Sequence, residues 1–393
     1  MKAILTAAIL LIAVACGQTQ DHQAASSPSA PASPQPLLFA LLQANGTPNA
    51  WTYNTVVIAG LDGRVRATAT FAPMPMPATG CMGAILQRSA HAAAGKVFFA
   101  DAKGVIRSLA IDGGVTDVTT FPMTSSQQML SFAVSPDGTR LLGTVFTVPT
   151  NAWPCDGSSP NTEYIFDTYA ANSGEPGRLV GHQTWSKPQN ALALTGWDAV
   201  GPIGTFPTVW ASQGGGPGST LGVKVRVDAA TVKPGAALSD PSKCLAWDSN
   251  QSGSFVCTKD GVMTSGGTPQ QQVAVPVSVR SADGTELWDS TVTGQNSPFG
   301  PFLAPDGQHV LICCNDLNLA DPHELLIGRD GSQVNLAKGF YATGWLDATT
   351  AIGVLGPNPL PQPPVPFAYI TASAPNTAVS MGFAGLFVGT VRA

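Results

Sequence analysis

Two stretches of this chain say nearly the same thing. "SFAVSPDGTRLLGTV" runs from Ser131 to Val145, and "GPFLAPDGQHVLIC" runs from Gly300 to Cys313. Each places an apolar run before Pro-Asp-Gly and a second apolar run after it. Proline sets φ for a tight turn and glycine accepts a positive φ where the chain reverses. Each stretch therefore predicts a hairpin, with Asp137 and Gly138 at one tip and Asp306 and Gly307 at the other.

Looser copies follow the same plan. They are "GAILQRSAHAAAGKVFFA" from Gly83, "ALALTGWDAVGPIGTF" from Ala191, "CLAWDSNQSGSFVC" from Cys244 and "YATGWLDATTAIGVL" from Tyr341. Strand-like segments come after several of them: "VIRSLAI" and "VTDVTTF", "EYIFDTYAA" and "GRLVGH", "HELLIGR" and "QVNLAK". A four-strand unit recurring at about 41 to 60 residues predicts an all-β fold, a single β-propeller of about seven four-stranded blades. Residues 37–72 hold three strands, "LLFALLQ", "TYNTVVIAG" and "RVRATATF". The leftover "AGLFVGTVRA" at the C-terminus is expected to be the fourth, pairing into the first blade and closing the ring. Closure protects strand edges that an open array would expose, and a monomer is expected.

Composition agrees. Only 11% of residues are charged, against 42 Gly and 33 Pro. Long solvent-facing helices use Lys and Glu on their polar faces, and this chain has few of either. No helical period runs for a dozen residues after residue 37, which excludes an appended Rossmann or α/β-hydrolase domain. The net charge of −5 and the lack of any basic run exclude the usual nucleic-acid binder.

The N-terminus reads "MKAILTAAILLIAVAC", with Lys2, an apolar run from Ala3 to Val14, then Ala15 and Cys16. The run is a secretory signal, short for a membrane span. The small residues before Cys16 resemble the lipobox of bacterial lipoproteins, although Ala13 stands where Leu is commoner. That resemblance implies cleavage after residue 15 and a lipid anchor on Cys16, placing the protein outside the cytoplasm on a bacterial membrane. Cleavage near Ala15 without acylation would instead leave a secreted protein. Residues 16–36, rich in Ala, Ser, Pro and Gln, read as a disordered tether. The globular body is then 37–393.

Six further cysteines are an even set for disulfides in an exported chain. Cys244 and Cys257 flank a polar turn at Ser249–Ser252 in a short hairpin, so pairing centred there sets them opposite each other. Cys81 and Cys155 both lie in loop-like sequence and could pair. Cys313 and Cys314 are adjacent, either a strained vicinal disulfide or two small buried thiols.

"SPDGTRLLGT" and "APDGQHVLI" resemble the WD-like propeller repeats of bacterial exported proteins of the TolB type. The resemblance covers most of 37–393, but only two units match well. It implies that Asp137, Gly138, Asp306 and Gly307 shape the hairpin between the first two strands of a blade.

Little reads as chemistry. The histidines are His22, His91, His182, His309 and His323. His182 is the best functional candidate among them, with an ordinary surface role as the alternative. No nucleophile elbow, zinc-protease motif or phosphate loop is present. In "CCNDLNLADPHE" the oxygens of Asp316, Asn318, Asp321 and Glu324, with His323, could hold calcium. The spacing does not match an EF-hand, and a polar hairpin loop is the simpler reading. Trp197, Trp247 and Trp345 recur at comparable positions, as packing between blades or as a sugar platform. No cofactor is expected. Two functions remain: a binding or scaffolding module for an envelope protein or glycan, or a hydrolase or lyase acting on carbohydrate or peptide at the channel mouth.

Overall fold

The structure is a computed structural model. It describes residues 37–45, 52–75, 89–149, 163–186, 191–206, 224–240, 243–258, 272–295, 301–313, 324–356 and 366–392. The signal, Cys16 and the tether lie outside these residues.

Every regular element among the described residues is a strand. Five four-stranded antiparallel sheets follow one another along the chain. The second sheet holds β4 (Ala90–Ala93), β5 (Lys96–Ala100), β6 (Val105–Ala110) and β7 (Val115–Thr120). The third holds β8 (Gln128–Val134), β9 (Arg140–Thr147), β10 (Tyr164–Asn172) and β11 (Arg178–Trp185). The fourth holds β12 (Ala193–Trp197), β13 (Pro202–Thr205), β14 (Lys224–Val227) and β15 (Pro234–Ala237). The fifth holds β16 (Leu245–Ser249), β17 (Phe255–Thr258), β18 (Gln272–Arg280) and β19 (Glu286–Gln295). The sixth holds β20 (Phe302–Leu303), β21 (His309–Cys313), β22 (Glu324–Gly328) and β23 (Gln333–Asn335).

The first and last described strands share a seven-stranded sheet in the order β24-β25-β26-β27-β1-β2-β3. Its N-terminal arm is β1 (Leu38–Asn45), β2 (Thr52–Gly60) and β3 (Val65–Thr70). Its C-terminal arm is β24 (Phe340–Trp345), β25 (Thr350–Leu355) and β26 (Pro366–Thr371). The expected C-terminal strand does pair with the first one, Leu38 opposite Val391. It is not a separate strand, however. It is the last part of β27 (Ala374–Val391), whose first part pairs with β26. Gly385 sits where the strand passes between arms. Its φ is +156°, and a Cβ there would lie 2.2 Å from the Leu42 carbonyl oxygen, so only glycine fits.

Burial explains the sequence of the repeats. All of β8 is buried. Met129 and Ala133 face the fourth sheet, packing with Leu192, Leu194 and Val225. Leu130, Phe132 and Val134 face the second, packing with Phe98, Ile106 and Phe121. The period of two thus serves two neighbours, and the strand reads as continuously apolar. Similar apolar seams join the N-terminal arm to the second sheet, the fifth to the sixth, and the sixth to the C-terminal arm. The seam between the fourth and fifth is small, with Cys244, Ala246, Phe255, Cys257 and Leu238.

Because each sheet is a meander, its first-second and third-fourth turns share one end, here called the hairpin end. Contacts run from hairpin to hairpin. The Ala94 amide donates to the Pro136 carbonyl, Ala199 to Gln251, and the Asn250 side chain to Pro305. The second-to-third-strand connections belong to the opposite end.

Candidate functional site

The two Pro-Asp-Gly turns have the same backbone. Gly138 donates to Ser135 and Gly307 to Ala304, while Ser135 donates to Arg140 and Ala304 to His309. Both glycines have positive φ, +73° and +71°. Asp137 Oδ1 accepts the Thr139 amide at 3.1 Å, and Asp306 Oδ1 accepts the Gln308 amide at 2.9 Å. The Ser135 hydroxyl, then the Thr139 amide and hydroxyl, hold the Asp137 carboxyl down at about 2. These carboxylates are engaged in closing their own turns.

A second series of such turns lies between third and fourth strands. Asp62, Asp112, Asp283 and Asp330 each precede a glycine, and each accepts the amide two residues on. The sequence carries this signal as "LDGR", "IDGG", "ADGT" and "RDGS", without the proline that marks the other pair.

The residue opening the second strand of each Pro-Asp-Gly hairpin meets a tryptophan of the next sheet. The Arg140 guanidinium lies over Trp197, 5.5 Å from the ring centroid. The His309 and Trp345 rings are 6.2 Å apart. The Trp345 indole N–H also donates to the Phe302 carbonyl at 3.1 Å. Trp247 is placed differently: it lies within a register shift of β16 and packs toward the sixth sheet, its N–H donating to Thr258. These contacts give the tryptophans packing roles between sheets.

The edge of the first strand in three sheets is capped from the sheet before it. The Leu194 amide donates to Ser131 Oγ at 2.9 Å, Leu303 to Asp248 Oδ2 at 3.0 Å, and Ala342 to Glu324 Oε2 at 2.5 Å. Glu324 is fully buried, and burial pushes its carboxyl up to about 8 despite the Ala342 N–H. Asp316, Asn318, Asp321 and His323, grouped with Glu324 by sequence, lie outside the described residues. Among the described residues no cluster of three or more His, Cys, Asp or Glu could hold a metal.

Cys244 and Cys257 are bonded, with Cα atoms 5.4 Å apart. Their placement differs from the expected one. The turn is set by Asn250 and Ser254, and Cys257 stands opposite Ala246, so Cys244 is diagonal to it. Moving the turn by a residue and adding the register shift at Trp247 accounts for the offset. Cys81, Cys155 and Cys314 lie outside the described residues; Cys313 ends β21 opposite Glu324.

His182 faces Asp167 across β10 and β11, Nδ1 to Oδ1 at 2.6 Å, with the His half exposed. His91 is buried edge-on against Phe132. His22 and His323 are outside the described residues. Asp198, just after Trp197, is buried and accepts from Val200, Gly201 and Arg226.

No family model matches the chain. No curated protein matches it either. Solved structures do. An oligogalacturonate lyase in complex with manganese is 10% identical, with a TM-score of 0.47 over 85% of this chain and 90% of that one. TolB from Acinetobacter baumannii is 16% identical, with a TM-score of 0.38 over 76% of this chain and 62% of that one. The Dos1 propeller is 9% identical, with a TM-score of 0.43 over 89% and 83%.

Proposed function

We propose that this chain is an extracytoplasmic β-propeller of seven four-stranded blades, closed by β27 and anchored by lipid on Cys16. In this reading it binds an envelope protein or glycan through the connection end. The observation that carries the reading is the difference between the ends. At the hairpin end the acidic side chains of the repeated turns are bonded to their own backbone. At the other end β5 and β6 are joined by the short turn 101–104, where Asp101 accepts the Lys103 and Val105 amides, while the other adjacent strands are joined through the longer 46–51, 150–162, 207–223, 259–271, 314–323 and 357–365, outside the described residues. Longer connections on a rigid scaffold are where recognition residues concentrate.

The test replaces 150–162 and, separately, 314–323 with short Gly-Ser links in the lipidated protein. Capture of a defined partner from its own envelope should fall while the melting temperature holds. Capture unchanged by both replacements, or turnover of a glycan or peptide with no partner recovered, overturns the reading in favour of a hydrolase or lyase.

A further inference from the structure

Resting on the reading of Cys16 as a lipid anchor, we infer that the hairpin end is the face turned toward the lipid surface, and that the connection end stands away from it. Two independent features lead there.

The first is where the chain joins the body. β1 starts at Leu38, opposite Val391, at the hairpin end. Residues 16–36 therefore attach to that face. Twenty-one residues reach at most about 70 Å, so an anchor on Cys16 holds the attached face within that distance of the membrane. The opposite face is set back by the length of a strand, roughly 26 Å for the eight residues of β1.

The second is what that face exposes. Val65, Val115, Leu179, Val200 and Leu287 are each between 42% and 55% exposed. Four of them begin outermost strands just after a hairpin: Val65 and Val115 are the first residues of β3 and β7, Leu179 and Leu287 the second residues of β11 and β19. Val200 lies in the first hairpin of the fourth sheet. Exposed Arg64 and Arg178 precede Val65 and Leu179, a cation beside an apolar side chain, which suits a phosphate above acyl chains. Among the described residues two other large apolar side chains are exposed: Val379 midway along β27, and Leu386, which lies opposite Leu42 near the connection end. Exposed described positions at the connection end include the polar Gln43, Thr124, Ser125, Glu163 and Ser186, alongside the small or ring side chains Ala72, Pro73, Pro122 and Pro366.

The hairpin end also carries carboxylates. Hydrogen bonds within their turns hold Asp62, Asp137, Asp228, Asp283 and Asp330 below the usual carboxylate range, so they stay ionised. With the exposed Arg64 and Arg178 they make a face of mixed sign. It matches zwitterionic headgroups, and it would rest at headgroup depth without penetrating further.

The test uses the full lipidated chain on phosphatidylethanolamine–phosphatidylcholine vesicles. An environment-sensitive thiol probe is placed at Val115→Cys or Leu179→Cys, and in separate proteins at Thr124→Cys or Glu163→Cys. The parent chain, labelled in parallel, gives the background. Headgroup-labelled quencher lipids should dim the probes at 115 and 179 several-fold more than those at 124 and 163. Protein that fails to float with the vesicles overturns the anchor and this orientation together. Protein that floats but is quenched equally at both ends, or more at 124 and 163, overturns the orientation alone.

Discussion

The hairpins at Asp137 and Asp306 share their turn and differ in everything the turn touches. The first leads from a fully buried seven-residue β8 into an eight-residue β9. The second leads from a two-residue β20 into a five-residue β21. The third sheet caps its neighbour with a hydroxyl, Ser131, and the sixth caps its neighbour with a carboxyl, Glu324. A cation covers the tryptophan in one case and an imidazole in the other. The repeat thus fixes backbone geometry, while adjoining sheets decide what each side chain does.

The largest difference should come from the core. Phe132 is fully buried and Phe302 only partly so. Phe132→Ala should cost about 3–5 kcal/mol and Phe302→Ala roughly half that, read from urea midpoints. Equal losses would mean that the two hairpins carry equal loads.

The caps should separate the sheets by pH. Below the ordinary glutamate value of 4.5 both folded and unfolded chains hold the Glu324 proton. Above it the unfolded chain releases the proton while folded Glu324 keeps it up to about 8. Stability therefore falls as pH rises from 4.5 to 8, by at most roughly 1.4 kcal/mol per pH unit. Glu324→Gln should remove that slope, while Ser131→Ala should leave it in place. Urea titrations at pH 5, 6.5 and 8 on the three proteins check this.

The turns themselves should differ less. A Cβ at Gly138 would lie 2.9 Å from the Ala94 Cβ and 3.3 Å from the Phe98 ring, whereas at Gly307 the nearest atom is 3.8 Å away. Both alanine variants meet the left-handed penalty of about 1–2 kcal/mol. Gly138→Ala should add a packing cost that Gly307→Ala lacks, visible as a lower melting temperature.

Smallest is the stacking. Arg140→Ala should lose about 0.5–1 kcal/mol of cation–π and related contact. His309→Arg should keep stability near that of the parent, since an arginine already plays this part over Trp197. A double-mutant cycle of Arg140 with Trp197 would isolate the pair.

The strands and the Pro-Asp-Gly turns were legible because their information is local: alternating burial, a fixed φ, a glycine. The pairing of Cys244 with Cys257 was legible for the same reason, but its diagonal offset was not, since a one-residue register shift, as at Trp247, has no residue pattern to mark it, and it recurs in β12 and β24. Asp198 and Glu324 were illegible as buried groups. Asp198 is held by Arg226 of its own sheet and Glu324 by Ala342 of the next, 28 and 18 residues on, and in the chain they read as an ordinary turn residue and as the end of an acidic loop. The partners of Trp197 and Trp345 lie in the preceding sheet, beyond any local pattern.

β27 has a consequence for the order of events during synthesis. The first three strands of the body precede every other sheet, but the strand that completes their arm, ending at Val391, follows all of them. During synthesis β1 keeps an unpaired edge until β27 has been made. Such distant pairing is slow to form and vulnerable while it waits. In this protein β1 to β3 cannot finish their sheet before β27 exists.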